Sequence, residues 1–162
     1  LGVLAHQKGE NVTAVDLITK ALKFKPDYAE AHSNLGNVFK ELGRLHEAVT
    51  SYQKALDINP DFAKANNNLG TVLKELERID EALAYYHKAL AIKPDYAEAN
   101  YNLGNVFKEL GQLDEALTCY HKALDKKPDY AEAHYNLSNV LKDTERFDVA
   151  QMVCKPRSHY VK

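Results

Sequence analysis

Four prolines, Pro26, Pro60, Pro94 and Pro128, stand 34 residues apart. A fixed period of this size means one supersecondary unit written again and again, each too small to bury its own apolar face. Stacking one unit on the next is then the route to a core. The period extends to whole phrases. NLGNVFKELG at 34–43 recurs letter for letter at 102–111, with NLGTVLKELE between them at 68–77. All seven glycines fall into two columns. One is Gly2, Gly36, Gly70 and Gly104, continued by Ser138. The other is Gly9, Gly43 and Gly111, with Glu77 and Glu145 in the remaining places.

Each repeat carries two helical patterns. Ala31, Leu35, Val38, Phe39 and Leu42 recur at spacings of three and four, and after Gly43 the pattern resumes with Ala48, Val49, Tyr52, Ala55 and Leu56. These are the apolar stripes of two amphipathic helices. Gly43 falls where a left-handed residue ends a helix at little cost. Pro60 falls where the second helix must stop. Asp27 with Glu30, Asp95 with Glu98, and Asp129 with Glu132 have the spacing of an N-cap and its reciprocal partner, which Lys64 breaks in one repeat. Gly36 lies inside a helix, at a cost of about 1 kcal/mol against alanine. It therefore predicts close contact with the partner helix, for which the small column Ala14, Ala48, Ala82, Ala116 and Ala150 is the natural counterpart. Tyr52, Tyr86 and Tyr120 are expected in the core, as are Tyr28, Tyr96, Tyr130 and Phe62 at the junctions between repeats.

These residues resemble the tetratricopeptide repeat family. Leu35-Gly36, Ala48, Tyr52, Ala55 and Pro60 match its signature, and so do Leu69-Gly70, Ala82, Tyr86, Ala89 and Pro94, and Leu103-Gly104, Ala116, Tyr120, Ala123 and Pro128. The resemblance implies an all-α fold, a right-handed superhelical solenoid of antiparallel helix pairs whose first helices line a concave groove. The expected organisation is a partial repeat at 1–28, full repeats at 29–62, 63–96 and 97–130, and an incomplete repeat at 131–150. An irregular or frayed tail follows at 151–162. Leu1-Gly2 stands where the middle of a first helix belongs, and Cys154 and Arg157 replace the aromatic and alanine of the last second helix. No polar capping helix is evident. These ends predict either a piece of a longer protein or a chain whose ends pair with another copy.

Chemistry of other kinds finds little support. None of the seven histidines forms H-E-x-x-H or pairs with cysteine at zinc spacing, and no phosphate-binding or nucleophile-elbow motif is present. No catalytic residue, metal or cofactor is expected. The net charge of −2 and the absence of a basic block argue against nucleic acid and acidic membrane surfaces as partners. No apolar run is long enough to span a membrane. Two cysteines make no disulfide framework, which fits free thiols in a reducing, cytoplasmic setting.

The asparagines carry the functional reading. Asn34, Asn68, Asn102 and Asn136 recur once per repeat inside the first helix, where asparagine is unfavourable. They stand one step from the core leucines, toward the groove. Asn37, Thr71, Asn105 and Asn139 follow three residues later on the same face. Tyr101 and Tyr135 replace Ser33 and Asn67 on that inner face. An asparagine amide both donates and accepts, so a column of them can hold a peptide backbone without reading its side chains. The same column can also brace neighbouring helices. The repeats are similar in style to those of O-linked N-acetylglucosamine transferase and of bacterial arrays fused to glycosyltransferases or sulfotransferases. That resemblance implies an asparagine ladder gripping substrate backbone at Asn34, Asn68, Asn102 and Asn136. A clamp for chaperone tails needs basic inner columns, and among Glu30, Lys64, Glu98 and Glu132 only Lys64 is basic. The reading is a protein–protein interaction module for extended segments. Its alternatives are the recruiting arm of a glycosyltransferase and a scaffold that self-assembles through uncapped ends.

Overall fold

A computed structural model describes residues 11–154, with side chains through residue 145. The described residues form eight helices and no strand. They are α1 (Asn11–Phe24), α2 (Ala29–Glu41), α3 (Leu45–Ile58), α4 (Ala63–Glu75), α5 (Ile79–Ile92), α6 (Ala97–Glu109), α7 (Leu113–Lys126) and α8 (Ala131–Cys154). The first helices α2, α4, α6 and α8 start 34 residues apart, so the fold is an all-α array of helix pairs in register with the sequence period. The predicted start inside a repeat at Leu1-Gly2 and the tail beyond Cys154 lie outside the described residues.

The described residues form two compact bodies, divided between residues 99 and 100. In the first, α1 packs on α2, α2 on α3, α3 on α4 and α4 on α5, while α2 also touches α4. Its core holds Val38, Ala48, Tyr52, Ala55, Ala65, Leu69, Val72, Leu73, Ala82, Tyr86 and Ala89. In the second body α7 packs on α8, and Leu103, Val106, Ala116, Tyr120, Ala123, Ala133 and Val140 are buried.

The hairpin turns close as the glycine column predicts. Gly43 and Gly111 have φ of 70° and 74°, and Glu77 takes φ 60° in the same position. The N–H groups of Arg44, Arg78 and Gln112 reach back to the carbonyls of Phe39, Leu73 and Phe107 at 2.9 Å, so each turn satisfies carbonyls that a helix end leaves open. At the other junctions α3 stops at Ile58, one residue before Asn59-Pro60.

Four expectations need correction. The Asp-x-x-Glu spacing is no capping box: Tyr28 and Phe62 hold the cap positions of α2 and α4, without a side-chain cap bond. Asp27 stands one residue too early, in the turn after Pro26. Tyr28 is exposed rather than core, with Lys25 over its ring at 4.6 Å, while Phe62, Tyr96 and Tyr130 are half-buried. The helical glycines receive a tyrosine ring first, and the alanine column stands beside it at Gly70, where a Cβ would lie 3.2 Å from the Ala82 carbonyl oxygen. A Cβ at Gly36 would lie 2.7 Å from Tyr52 Cε1, one at Gly70 2.9 Å from Tyr86 Cε1, and one at Gly104 2.8 Å from Tyr120 Cε1. Finally, α8 runs unbroken from Ala131 through Glu145 to Cys154, where a turn near 145 and an irregular stretch from 151 were expected.

Candidate functional site

The glycine–tyrosine contact positions a polar node on the first helices α2, α4 and α6. With its ring seated on Gly36, the Tyr52 hydroxyl donates to Oδ1 of the adjacent Asn37 at 2.6 Å. Asn68 Nδ2, from the next repeat, donates to the same oxygen at 2.9 Å. The second body repeats the arrangement: Tyr120 donates to Asn105 Oδ1 at 2.8 Å, and Asn136 Nδ2 donates to it at 2.8 Å. A carbonyl oxygen has two lone pairs, and both are used in each node. Tyr86 makes the corresponding bond to Thr71 Oγ1 at 3.3 Å.

Burial raises the proton affinity of both node hydroxyls. It pushes the Tyr52 hydroxyl well above the ordinary tyrosine range, with the Asn68 side chain opposing the shift. Burial does the same to Tyr120, reinforced by Tyr101. The direction of the bonds comes from the second donor: with Asn68 Nδ2 or Asn136 Nδ2 on the same atom, Asn37 and Asn105 present oxygen to the node and turn their amide nitrogens away.

The asparagine columns are therefore partly braces between consecutive repeats. Asn34, Asn37, Asn68, Asn102, Asn105, Asn136 and Asn139 are all half-buried. Asn67 Nδ2 donates to Asn68 Oδ1 at 3.3 Å. The two inner-face tyrosines part company. Tyr101 packs at 4.8 Å from the Tyr130 ring and 6.0 Å from the Tyr120 ring, and its hydroxyl accepts from Asn136 Nδ2 at 3.2 Å. Tyr135 is 69% exposed on α8. Asn68 and Asn37 meet in the first body, and Tyr101, Asn105 and Asn136 in the second.

A second polar column escaped the sequence reading. His32 Nε2 bonds the Pro26 carbonyl at 2.9 Å, Asn66 Nδ2 donates to the Pro60 carbonyl at 3.4 Å, and His134 Nε2 bonds the Pro128 carbonyl at 2.7 Å. Each ties the start of a first helix to the proline turn six residues earlier. The signal was present, since His32, Asn66, Asn100 and His134 share one repeat position. Among the described residues no cluster of His, Cys, Asp and Glu suits a metal ion, and no helix is long and apolar enough to cross a membrane.

A family model described as "TPR repeat" matches at residues 2–43, 36–77, 72–111 and 104–144. Among solved structures, the crystal structure of MamA is similar at 26% identity over 90% of this chain and 85% of that one, with a TM-score of 0.80. MamA from Desulfovibrio magneticus RS-1, residue 41 to its end, is 22% identical over 93% and 85% of the two chains, with a TM-score of 0.79. The first TPR of Spaghetti (RPAP3), solved with an HSP90 peptide, is 24% identical over 72% and 93%, with a TM-score of 0.70. With its helix pairs in 34-residue register and the family model running from residue 2 to 144, the chain belongs to the tetratricopeptide repeat family.

Proposed function

We propose that this chain binds extended protein segments on the first helices of each of its two bodies. As a tetratricopeptide repeat array it is a protein–protein interaction module; the proposal concerns what it grips and where. Asn34, Asn68, Asn102 and Asn136 hold the backbone of these segments, with Asn37, Asn105 and Asn139 beside them and Tyr101 and Tyr135 adding apolar contact. One observation carries the reading. The amides are half-buried, and the tyrosine nodes hold those of Asn37, Asn68, Asn105 and Asn136 in one orientation before any ligand arrives. After bracing, the nodes leave the amide nitrogens of Asn37 and Asn105 and Oδ1 of Asn136 as groups that can pair with a peptide unit. Preorganised groups lose little freedom on binding. A domain of the same fold, from Spaghetti (RPAP3), holds a peptide.

Each net hydrogen bond contributes about 0.5–1.5 kcal/mol, against the cost of ordering a flexible segment. The resulting Kd is on the order of 10 μM to 1 mM. Because the gripping groups are neutral, affinity depends little on salt. The test is an NMR titration of the chain, with its asparagine side-chain amides labelled, by a capped, alternating Ser/Thr peptide of about twelve residues, extended at about 3.3 Å per residue. The column amides should shift, with Kd changing less than about twofold between low and high salt. Shifts confined to the Lys and Glu columns and abolished by salt would overturn the reading, as would no binding at all.

A further inference from the structure

The sequence period puts α8 where α2, α4 and α6 stand, and residues 146–154, RFDVAQMVC, where a second helix stands (RLHEAVTSY at 44–52). In the three earlier repeats a left-handed residue, Gly43, Glu77 or Gly111, separates the two helices. In the fourth, the helix runs straight through Glu145 to Cys154. Glu77 shows that glutamate accepts the turn, so Glu145 alone does not explain the difference. Three hairpin-forming features are replaced together. The leucine of Leu42, Leu76 and Leu110 becomes Thr144, whose hydroxyl donates to the Val140 carbonyl at 2.8 Å and stays satisfied inside the helix. The glycine that admits the tyrosine ring becomes Ser138, and the tyrosine becomes Cys154. The ring-on-glycine lock and its hydroxyl node therefore cannot form at 138 and 154.

The consequence is a first helix without its cover. Leu141 is 44% exposed where its counterpart Leu73 is 1% exposed. Tyr135 is exposed where Ser33 and Asn67 are buried, and Ser138 is exposed where Gly36, Gly70 and Gly104 are buried. A straight helix cannot lay its own last turns on its first ones. The segment carrying the second-helix pattern is held away from the face that pattern fits.

We propose that two copies of this chain exchange these segments. Residues 146–154 of one α8 lie antiparallel on residues 131–144 of the α8 of a second copy, and the reverse, in a two-fold dimer. Such an exchange is reciprocal and closes on itself. The register comes from the preceding repeat: a Cβ on Gly104 lies 3.2 Å from Cys119 Cβ. Positions 138 and 153 stand 34 residues further on, so residue 138 of one copy faces residue 153 of the other. The two-fold axis then crosses α8 near Glu145 and Arg146. This dimer does not rest on the peptide-binding reading: both draw on Tyr135, but its test reads positions 138 and 153, which the peptide reading does not use.

The test is a cysteine pair. Ser138→Cys with Val153→Cys, in a background with Cys119→Ala and Cys154→Ser, places two thiols at a separation close to the roughly 3.5–4.5 Å between Cβ atoms that a disulfide needs. Mild oxidation should give a covalent species of twice the chain mass, which neither single cysteine gives. A monomer with both thiols joined would show that α8 folds back on itself, and two free thiols would show that no second-helix segment reaches this face. Either overturns the proposal. Light scattering supplies a second reading without new thiols. The wild-type chain should pass from monomer to dimer with concentration, and Thr144→Leu with Glu145→Gly, which restores the turn residues, should leave it monomeric. A wild-type chain that stays monomeric at millimolar concentration, or a double variant that dimerises as before, overturns it equally.

Discussion

Tyr52 and Tyr120 tie three sequence columns together: the ring fills the space a missing Cβ leaves, and the hydroxyl fixes the asparagine next to that glycine. Replacing Tyr52 with Phe keeps the ring and removes one of the two donors to Asn37 Oδ1. Stability should fall by about 0.5–1.5 kcal/mol, read as a lower urea midpoint with unchanged slope. An unchanged midpoint would show the node to be idle. Gly36→Ala sets two effects against each other. Helix propensity favours alanine by about 1 kcal/mol, whereas a Cβ at 2.7 Å from a fully buried ring overpacks the site, at about 1–3 kcal/mol. The variant should be destabilised, and a gain in thermal midpoint would contradict the contact. The sequence revealed that Gly36 needs a close neighbour but not which one. Ala48 and Tyr52 both recur with the period, and only the approach of the two helices decides between them. For the same reason it left open whether the asparagines brace or bind. A column identifies positions that are alike, whereas the bond from Asn68 to Asn37 joins two different columns across 31 residues.

Among the helices, protection should track how many neighbours an element has. In the first body α4 packs against α3 and α5 and also touches α2, and Leu69, Val72 and Leu73 are its buried stripe. Local opening in repeat arrays is governed by such neighbour terms. Hydrogen exchange should be slower in α4 than in α1, which packs on α2. Equal rates in the two helices would contradict this. Helix spacing, turn positions and the stop before each proline were all legible, because apolar periodicity and left-handed turn residues act locally. The caps were not: the aspartate spacing fitted a capping box, but the chain turns at Pro26-Asp27 and starts its helix at Ala29. The straight course of α8 was also missed. Its cause is distributed over Ser138, Thr144 and Cys154, three small departures that matter only in combination.

For the molecule as a whole, the buried tyrosines set an alkaline limit. Tyr52 and Tyr120 have hydroxyls raised by burial from an ordinary value of 10.0. Above that value the unfolded chain loses protons that the folded chain keeps, so stability falls as pH rises. Below it both states are protonated and the contribution is fully present. Urea midpoints should hold steady for these groups up to pH about 9 and fall beyond about 10, less steeply in a variant with Phe at both positions. A midpoint flat to pH about 11.5 would contradict the burial of these hydroxyls. Whether the first-helix amides grip a peptide backbone is decided by calorimetric titration. The extended Ser/Thr peptide is titrated into the wild-type chain and into the variant with Asn34, Asn68, Asn102 and Asn136 all replaced by Ala. Loss of the braces at Asn68 and Asn136 should lower stability by about 0.5–1.5 kcal/mol each, with the variant still folded by circular dichroism. Affinity in the folded variant should drop by about tenfold or more, equivalent to about 1.4 kcal/mol; equal affinity in the two proteins would contradict the grip, leaving the column as a brace and nothing more.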